Sequence, residues 1–113
     1  MGRKDEPPFK KLRGENMDIK KAYQEKMEAQ LREWAAKIDG LKAKADKAKA
    51  EAKIKYYGQI LELRIKQEVA RQKLHELRES GDEAWEELKV GVDRALGDLK
   101  GSLNRAVSRF KKK

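Results

Sequence analysis

Cysteine is absent from the chain, which excludes a disulfide framework and thiol chemistry. Its absence fits a reducing compartment. Long apolar runs are also missing, since no stretch approaches the roughly 20 residues that a membrane-spanning helix needs. The first residues show no signal-peptide pattern. We therefore expect a cytoplasmic protein, with attachment to the periphery of a membrane as the alternative.

Histidine occurs only once, as His75, which leaves little catalytic chemistry available. The segment His75 to Glu79 has the first half of the zinc-protease motif, but no second histidine follows. A nucleophile–base pair would need another histidine or a cysteine, and there is no glycine-rich phosphate-binding loop. The sequence thus predicts no enzyme, with no catalytic, cofactor-binding or metal-ligating residue, no cofactor and no small-molecule substrate.

Proline is confined to Pro7 and Pro8, so no later proline forces a helix to end. Charged residues make up 43% of the chain, and Ala, Glu, Lys, Leu and Arg dominate it. This composition is typical of a coiled coil or a long helix. We expect an all-α, elongated coiled coil that follows a flexible N-terminal arm at residues 1–17.

Apolar residues from Met27 onward recur at alternating steps of three and four, which indicates a heptad seam. We predict a long helix over about residues 18–79, in a coiled-coil segment 18–80, that begins near Asn16 to Asp18. Such a helix would be about 90 Å long, and no core of a single chain can cover it. We therefore predict self-association, with a dimer favoured, along Met27, Leu31, Trp34, Ile38, Leu41, Ala45, Ala48 and Ala52.

A break is expected at Ser80-Gly81-Asp82, because Gly81 suits a C-terminal cap and Ser80 or Asp82 suits a new helix start. A second, shorter helix then covers about residues 83–110. Its apolar residues match those of 52–77 if the chain reverses, with Tyr56 facing Ala106, which favours an antiparallel helical hairpin. A continuous or kinked helix stays open, because an eleven-residue repeat runs from 74 to 113. The stripe for the hairpin, or for a free surface, is Trp85, Leu88, Val92, Leu96, Leu99, Leu103 and Phe110.

The net charge is +9, from 29 basic and 20 acidic residues, and it favours nucleic acid or an anionic membrane surface as a partner. The amphipathic C-terminal segment 81–113 ends in a basic tail, so residues 85–113 are a candidate interfacial helix. Nucleic acid is less favoured, because the aromatic residues are not interleaved with arginine. Six lysines within residues 42–55 are interpreted as a solvated face. The candidates for contact with an anionic surface are Lys100, Arg105, Arg109, Lys111, Lys112 and Lys113.

Five short segments carry a resemblance to a known family: residues 31–34, 37–39, 41–46, 56–57 and 84–88, with the sequences LREW, KID, LKAKAD, YY and AWEEL. From Lys20 to Phe110 the chain resembles small bacterial coiled-coil proteins, which implies a soluble helical protein with no assigned reaction. The eleven-residue blocks also resemble the amphipathic repeats of apolipoproteins and of lipid-droplet or granule coat proteins.

The leading functional hypothesis is a non-enzymatic coiled-coil scaffold or structural protein that self-associates. Two alternatives come from the charge and from the amphipathic C-terminal segment. One is a peripheral membrane or granule-surface protein that binds through residues 85–113, and the other is a non-specific nucleic-acid-binding protein.

Overall fold

The computed structural model describes the backbone of residues 8–112 and the side chains of residues 19–110. Three helices of similar length make up this part of the chain: α1 (Pro8–Asp46), α2 (Ala50–Glu79) and α3 (Asp82–Lys112). They pack lengthwise into a bundle with principal extents of 69 × 25 × 16 Å. The described residues contain no β-strand. The predicted all-α, elongated architecture is therefore confirmed.

The prediction of one long helix over residues 18–79 is wrong, because the chain turns at residues 47–49. The N–H of Lys47 donates to the carbonyl of Lys44 at 3.1 Å, and that of Ala48 to Ala45 at 3.0 Å, which tightens the end of α1. Lys49 is then extended, with φ −69° and ψ 157°. Alanine and lysine are both strong helix formers, so local sequence gives no stop signal. The turn forms because it lets the apolar stripes of α1 and α2 bury each other.

The first helix begins earlier than the predicted start near Asn16 to Asp18. Residues 8–17, assigned to a flexible arm, belong to α1, and residues 1–7 of that arm lie outside the described residues. Pro8 is the first helical residue. Proline is favoured there because its missing N–H would have no helical acceptor and its fixed φ suits a helix.

The break predicted near residues 80–82 is confirmed, since α2 ends at Glu79 and α3 begins at Asp82. The way in which α2 is capped at this break differs from the prediction. Ser80 caps α2 in an extended conformation, with its N–H and its hydroxyl both donating to the carbonyl of Leu77. Gly81 does not adopt the left-handed conformation expected of a glycine cap. The helix after the break was predicted to be shorter than the helix before it. That prediction is wrong, because α3 has 31 residues and α2 has 30.

Contacts between helices fix how the three lie side by side. Glu28 pairs with Arg78 and Asp39 with Arg64, and these ion pairs join α1 to α2. Lys66 pairs with Asp98, and the ring of Tyr56 stacks on Phe110, so α3 contacts α2 at both places. The first and third helices meet near their beginnings, where Tyr23 packs edge-on against Trp85 at 5.7 Å between ring centroids.

One hydrophobic core runs along the bundle, and all three helices contribute to it. Ile38 from α1, Leu63 and Leu77 from α2, and Leu99 from α3 are among its most completely buried side chains. Burial of each such side chain contributes roughly 1.5–3 kcal/mol to the free energy of unfolding. The core thus accounts for why three highly charged segments fold together.

Candidate anionic-surface site

The stripe predicted on the C-terminal helix lies inside the bundle. Trp85, Val92, Leu96, Leu99, Leu103 and Phe110 are buried in the core, and Leu88 is partly buried against it. In this structure the apolar face of α3 is therefore covered by the chain's own helices. Binding of an external surface through residues 85–113 would need this stripe to be uncovered, and it stays a prediction.

The seam predicted for self-association is also covered within one chain. Met27, Leu31, Trp34, Ile38, Leu41 and Ala45 are buried, and Ala48 and Ala52 are half-buried. The reason for expecting a second chain along this seam was that one chain could not cover it. That reason is wrong, because the turn at 47–49 returns α2 onto α1. Self-association itself stays a prediction.

The fold collects basic residues from two distant parts of the sequence at one end of the molecule. This end, called the basic end below, consists of residues 42–57 and 102–110. The stacking of Tyr56 on Phe110 and the hydrogen bond from Tyr57 to Asp46 bring its parts together. It carries eight cationic and two acidic residues, so its net charge is +6. The cations are Lys42, Lys44, Lys47, Lys49, Lys53, Lys55, Arg105 and Arg109.

Most cations of the basic end lack a carboxylate partner. Among the described residues, Lys42 is the only one of the eight with an ion pair, to Asp46 at 3.2 Å. Lys44, Lys47, Lys49 and Lys55 are exposed. Neighbouring like charges that are not neutralised produce a positive potential, which attracts anions. The interpretation of these lysines as an ordinary solvated face missed the contribution that α3 makes to the same end.

The carboxylate of Asp46 organises the turn within the basic end. It accepts hydrogen bonds from the hydroxyl of Tyr57 and from the ammonium of Lys42. These two bonds, the first more than the second, hold the pKa of Asp46 below its usual range. The same contact with Asp46 raises the pKa of Tyr57. Asp46 therefore stays ionised at neutral pH, and it neutralises one lysine of the eight cations.

The predicted tail residues divide into three groups. Arg105 and Arg109 lie in the basic end, and both are exposed. Lys100 is exposed on α3, about 15 Å along the helix from Phe110 at 1.5 Å per residue. The side chains of Lys111, Lys112 and Lys113 lie outside the described residues.

The opposite end of the bundle has the reverse charge balance. Residues 8–30 and 70–93 carry ten cationic and eleven acidic residues, so their net charge is −1. Several of these charges are paired, including Lys20 with Asp82 and Lys89 with Asp93. Burial, with help from Asp93, raises the pKa of Tyr23 in the same region well above its usual value. The molecule is therefore electrically polarised along its length.

An exposed apolar stripe on α2, called the α2 stripe below, was missed by the sequence analysis. Ile54, Leu61, Ile65 and Val69 have exposed fractions of 75%, 62%, 56% and 45%, and Tyr57 is 39% exposed beside them. At 3.6 residues per turn the four aliphatic residues lie within an arc of about 80°, on the side of α2 away from the core. Their helical spacing was visible in the sequence, but the heptad interpretation followed only the buried stripe.

Two other predictions concern chemistry and membranes. His75 is exposed on α2. Within the part of the chain that the structure describes, no group of three or more His, Cys, Asp or Glu side chains could hold a metal ion. Over the same residues, each helix is too polar or too short in its apolar runs to cross a membrane.

Comparisons with known proteins assign no family to this chain. No protein-family model matches the chain, and neither a curated protein nor a solved structure is significantly similar to it.

Proposed function

We propose that this chain is a non-enzymatic helical scaffold or structural protein that docks its basic end onto an anionic surface. The observation that carries this proposal is the convergence of residues 42–57 and 102–110, with a net charge of +6, at one end of a bundle whose other end carries −1. A dipolar rod of this kind approaches an anionic surface end-first, because only one end is attracted.

The proposal includes a particular topology for the basic end. In it, α2 and α3 form an antiparallel helical hairpin, and α1 packs beside them as a third helix. The ion pair between Lys66 and Asp98 and the stacking of Tyr56 on Phe110 support this topology. Coiled-coil packing and the resemblance to small bacterial coiled-coil proteins remain predictions.

Self-association is a second candidate, and the α2 stripe is the observation that favours it. Apolar residues on the outside of a bundle are a common site for a second copy. The predicted dimer would then form through α2 and not through the seam of α1. Light scattering tests it directly: twice the chain mass at micromolar concentration is expected of a dimer, and the mass of one chain contradicts it.

Vesicle binding by charge variants tests the proposed function. The basic-end variant carries Lys47→Gln, Lys49→Gln and Lys55→Gln. The matched control carries Lys21→Gln, Lys26→Gln and Lys73→Gln, which lie outside the basic end. All six lysines are exposed and without an ion pair among the described residues, and each variant lowers the net charge from +9 to +6.

Affinity for vesicles that contain phosphatidylglycerol is measured over a salt series. Each lysine near an anionic surface contributes roughly 1 kcal/mol, so the basic-end variant is expected to bind about a hundredfold more weakly at low salt. The control is expected to bind within about threefold of the natural chain. Equal losses in the two variants would show that only the total charge matters. Absence of binding by the natural chain at low salt contradicts the proposal.

A further inference from the structure

We infer that the anionic surface is a lipid bilayer, and that the α2 stripe inserts into its headgroup region while the basic end binds its phosphates. This inference rests on the proposed function, because it names the partner of the same end of the molecule. It assigns the membrane contact to α2, whose residues were predicted to belong to the long coiled-coil helix over about 18–79.

The stripe and the basic end are one continuous surface. Ile54 lies between Lys53 and Lys55 in sequence, and Tyr57 is the residue that binds Asp46 at the turn. From Ile54 to Val69 the stripe covers 15 residues, or about 22 Å along α2 at 1.5 Å per residue. After the basic end has made first contact, a bundle that lies with this side of α2 along the membrane plane would place the aliphatic row at the acyl boundary and the neighbouring cations against the phosphates.

The carboxylates along the stripe do not oppose an anionic surface. Glu62 lies 3.7 Å from Lys66, which also pairs with Asp98 at 3.1 Å, and Glu68 pairs with Arg71 at 2.5 Å. The bonds from Arg71 hold the pKa of Glu68 below its usual range. The acidic groups beside Leu61 and Ile65 are therefore each accompanied by a cation, and the far half of the stripe is close to neutral.

Lipid fits these side chains better than nucleic acid does. Isoleucine, leucine and valine offer neither hydrogen bonds nor stacking surfaces to a nucleic acid, whose recognition depends on both. Aliphatic side chains gain free energy only where they leave water, which happens at the acyl boundary of a bilayer. Tyr57, half in water at the edge of the stripe, is a residue type that is enriched at membrane interfaces.

Lipid also fits the charge of the molecule better than a second copy does. A partner with the same +9 charge is repelled by long-range electrostatics, whereas an anionic bilayer is attracted. Bilayer binding therefore uses both features of the surface at once, the aliphatic row and the unpaired cations. Self-association through the stripe would leave the basic end without a role.

Neutral polar substitutions in the stripe test the inference without altering charge. The stripe variant carries Leu61→Gln and Ile65→Gln, and glutamine is a good helix former. The matched control is Val90→Gln, an aliphatic residue of α3 that is 54% exposed and lies outside the α2 stripe. Affinity is measured for phosphatidylglycerol-containing vesicles, for phosphatidylcholine vesicles and for double-stranded DNA. Circular dichroism and light scattering record the fold and the mass of each protein.

We expect the stripe variant to bind the anionic vesicles at least about tenfold more weakly, since loss of one partly buried aliphatic contact accounts for that factor. Val90→Gln should bind them like the natural chain, and both variants should bind DNA like it. Vesicle affinity that the stripe variant retains in full overturns the inference and leaves the proposed function standing. If the stripe variant keeps its vesicle affinity but differs from the natural chain in the mass measured by light scattering, the inference is overturned, and the stripe is a contact between two copies of the chain. If the natural chain binds neither vesicles nor DNA, the proposed function is contradicted, and the inference that rests on it falls with it.

Discussion

Tyr56 of α2 stacks on Phe110 of α3, with ring centroids 4.1 Å apart and an angle of 30° between the planes. The contact joins the beginning of one helix to the end of another, 54 residues later in the chain. Arg109, the neighbour of Phe110, lines the same surface cavity as Lys55, the neighbour of Tyr56. This aromatic pair therefore holds the cations of α3 close to those of α2 at the basic end.

Removing one ring of this pair should weaken both stability and anion binding. We expect Phe110→Ala to lower the free energy of unfolding by about 3 kcal/mol, because a buried phenyl group leaves a cavity. Phe110→Leu should cost about 1 kcal/mol, since it keeps most of the apolar volume. Urea unfolding measures both values. An unchanged unfolding midpoint for Phe110→Ala would show that α3 is not held at this contact.

The turn at residues 47–49 can be tested with proline. Ala50 is the first residue of α2, it is exposed, and it follows an extended Lys49. Proline suits that position, so Ala50→Pro should leave stability unchanged or raise it by about 0.5 kcal/mol. The control Ala36→Pro, at an exposed site within α1, should cost about 3 kcal/mol. In a continuous helix over 18–79 both substitutions would be equally damaging, and that outcome would contradict the turn.

Tyr23 links α1 to α3, and its ionisation should be visible in alkaline unfolding. Its hydroxyl donates to Asp93, so Tyr23→Phe should cost about 1 kcal/mol at neutral pH. Burial raises the pKa of Tyr23 above the ordinary 10.0. The folded state then holds the proton more tightly than the unfolded state, so this contribution is complete below pH 10 and declines as the pH rises further.

Urea unfolding of the natural chain and of Tyr23→Phe at neutral and alkaline pH measures that decline. Comparing the two proteins removes the lysine titrations that they share. The stability difference between them should shrink above pH 10. A constant difference across this range would show that Tyr23 ionises as it does in the unfolded chain.

Asp46 should affect stability and binding in opposite directions. Asp46→Asn replaces the carboxylate that accepts from Tyr57 and Lys42 with a neutral amide, so the turn should become less stable at neutral pH. The same change raises the charge of the basic end from +6 to +7, so affinity for anionic vesicles should rise a few-fold. Because the pKa of Asp46 is lowered on folding, its contribution is present above the unfolded value of 3.8 and is lost as the pH falls below it. A variant with weaker vesicle binding would contradict this electrostatic role.

The sequence predicted the parts of the fold that depend on periodicity. The apolar stripes from Met27 to Ala45 and from Trp85 to Phe110 belong to the core, and the break at Ser80–Gly81 carries visible turn chemistry. The turn at 47–49 has no such chemistry, since alanine and lysine continue on both sides. It is determined by packing between residues distant in sequence, which a local pattern does not report.

The candidate site was less predictable for the same reason. Arg105 and Arg109 were identified from their charge, and the lysines of residues 42–55 were noted, but only the fold places them together. The ring of Tyr56 stacks on Phe110, one helical turn further along α3 than the predicted partner Ala106, and the pairing with Ala106 itself stays a prediction. The α2 stripe was present in the sequence as a second row of apolar residues. Only the fold shows that the first row is buried and that this second row is therefore exposed on the outside of the bundle.

The most direct test of the account uses the absence of cysteine, which makes a single introduced thiol a unique site for a label. Gly58→Cys places an environment-sensitive fluorophore within the α2 stripe, and Gly97→Cys places it on the exposed side of α3. Both glycines are helical and exposed, with open space where a Cβ would lie. Phosphatidylglycerol-containing vesicles should shift the emission at position 58 to the blue and leave position 97 unchanged. No shift at position 58, or an equal shift at both positions, would contradict the claim that this face of the molecule binds the membrane.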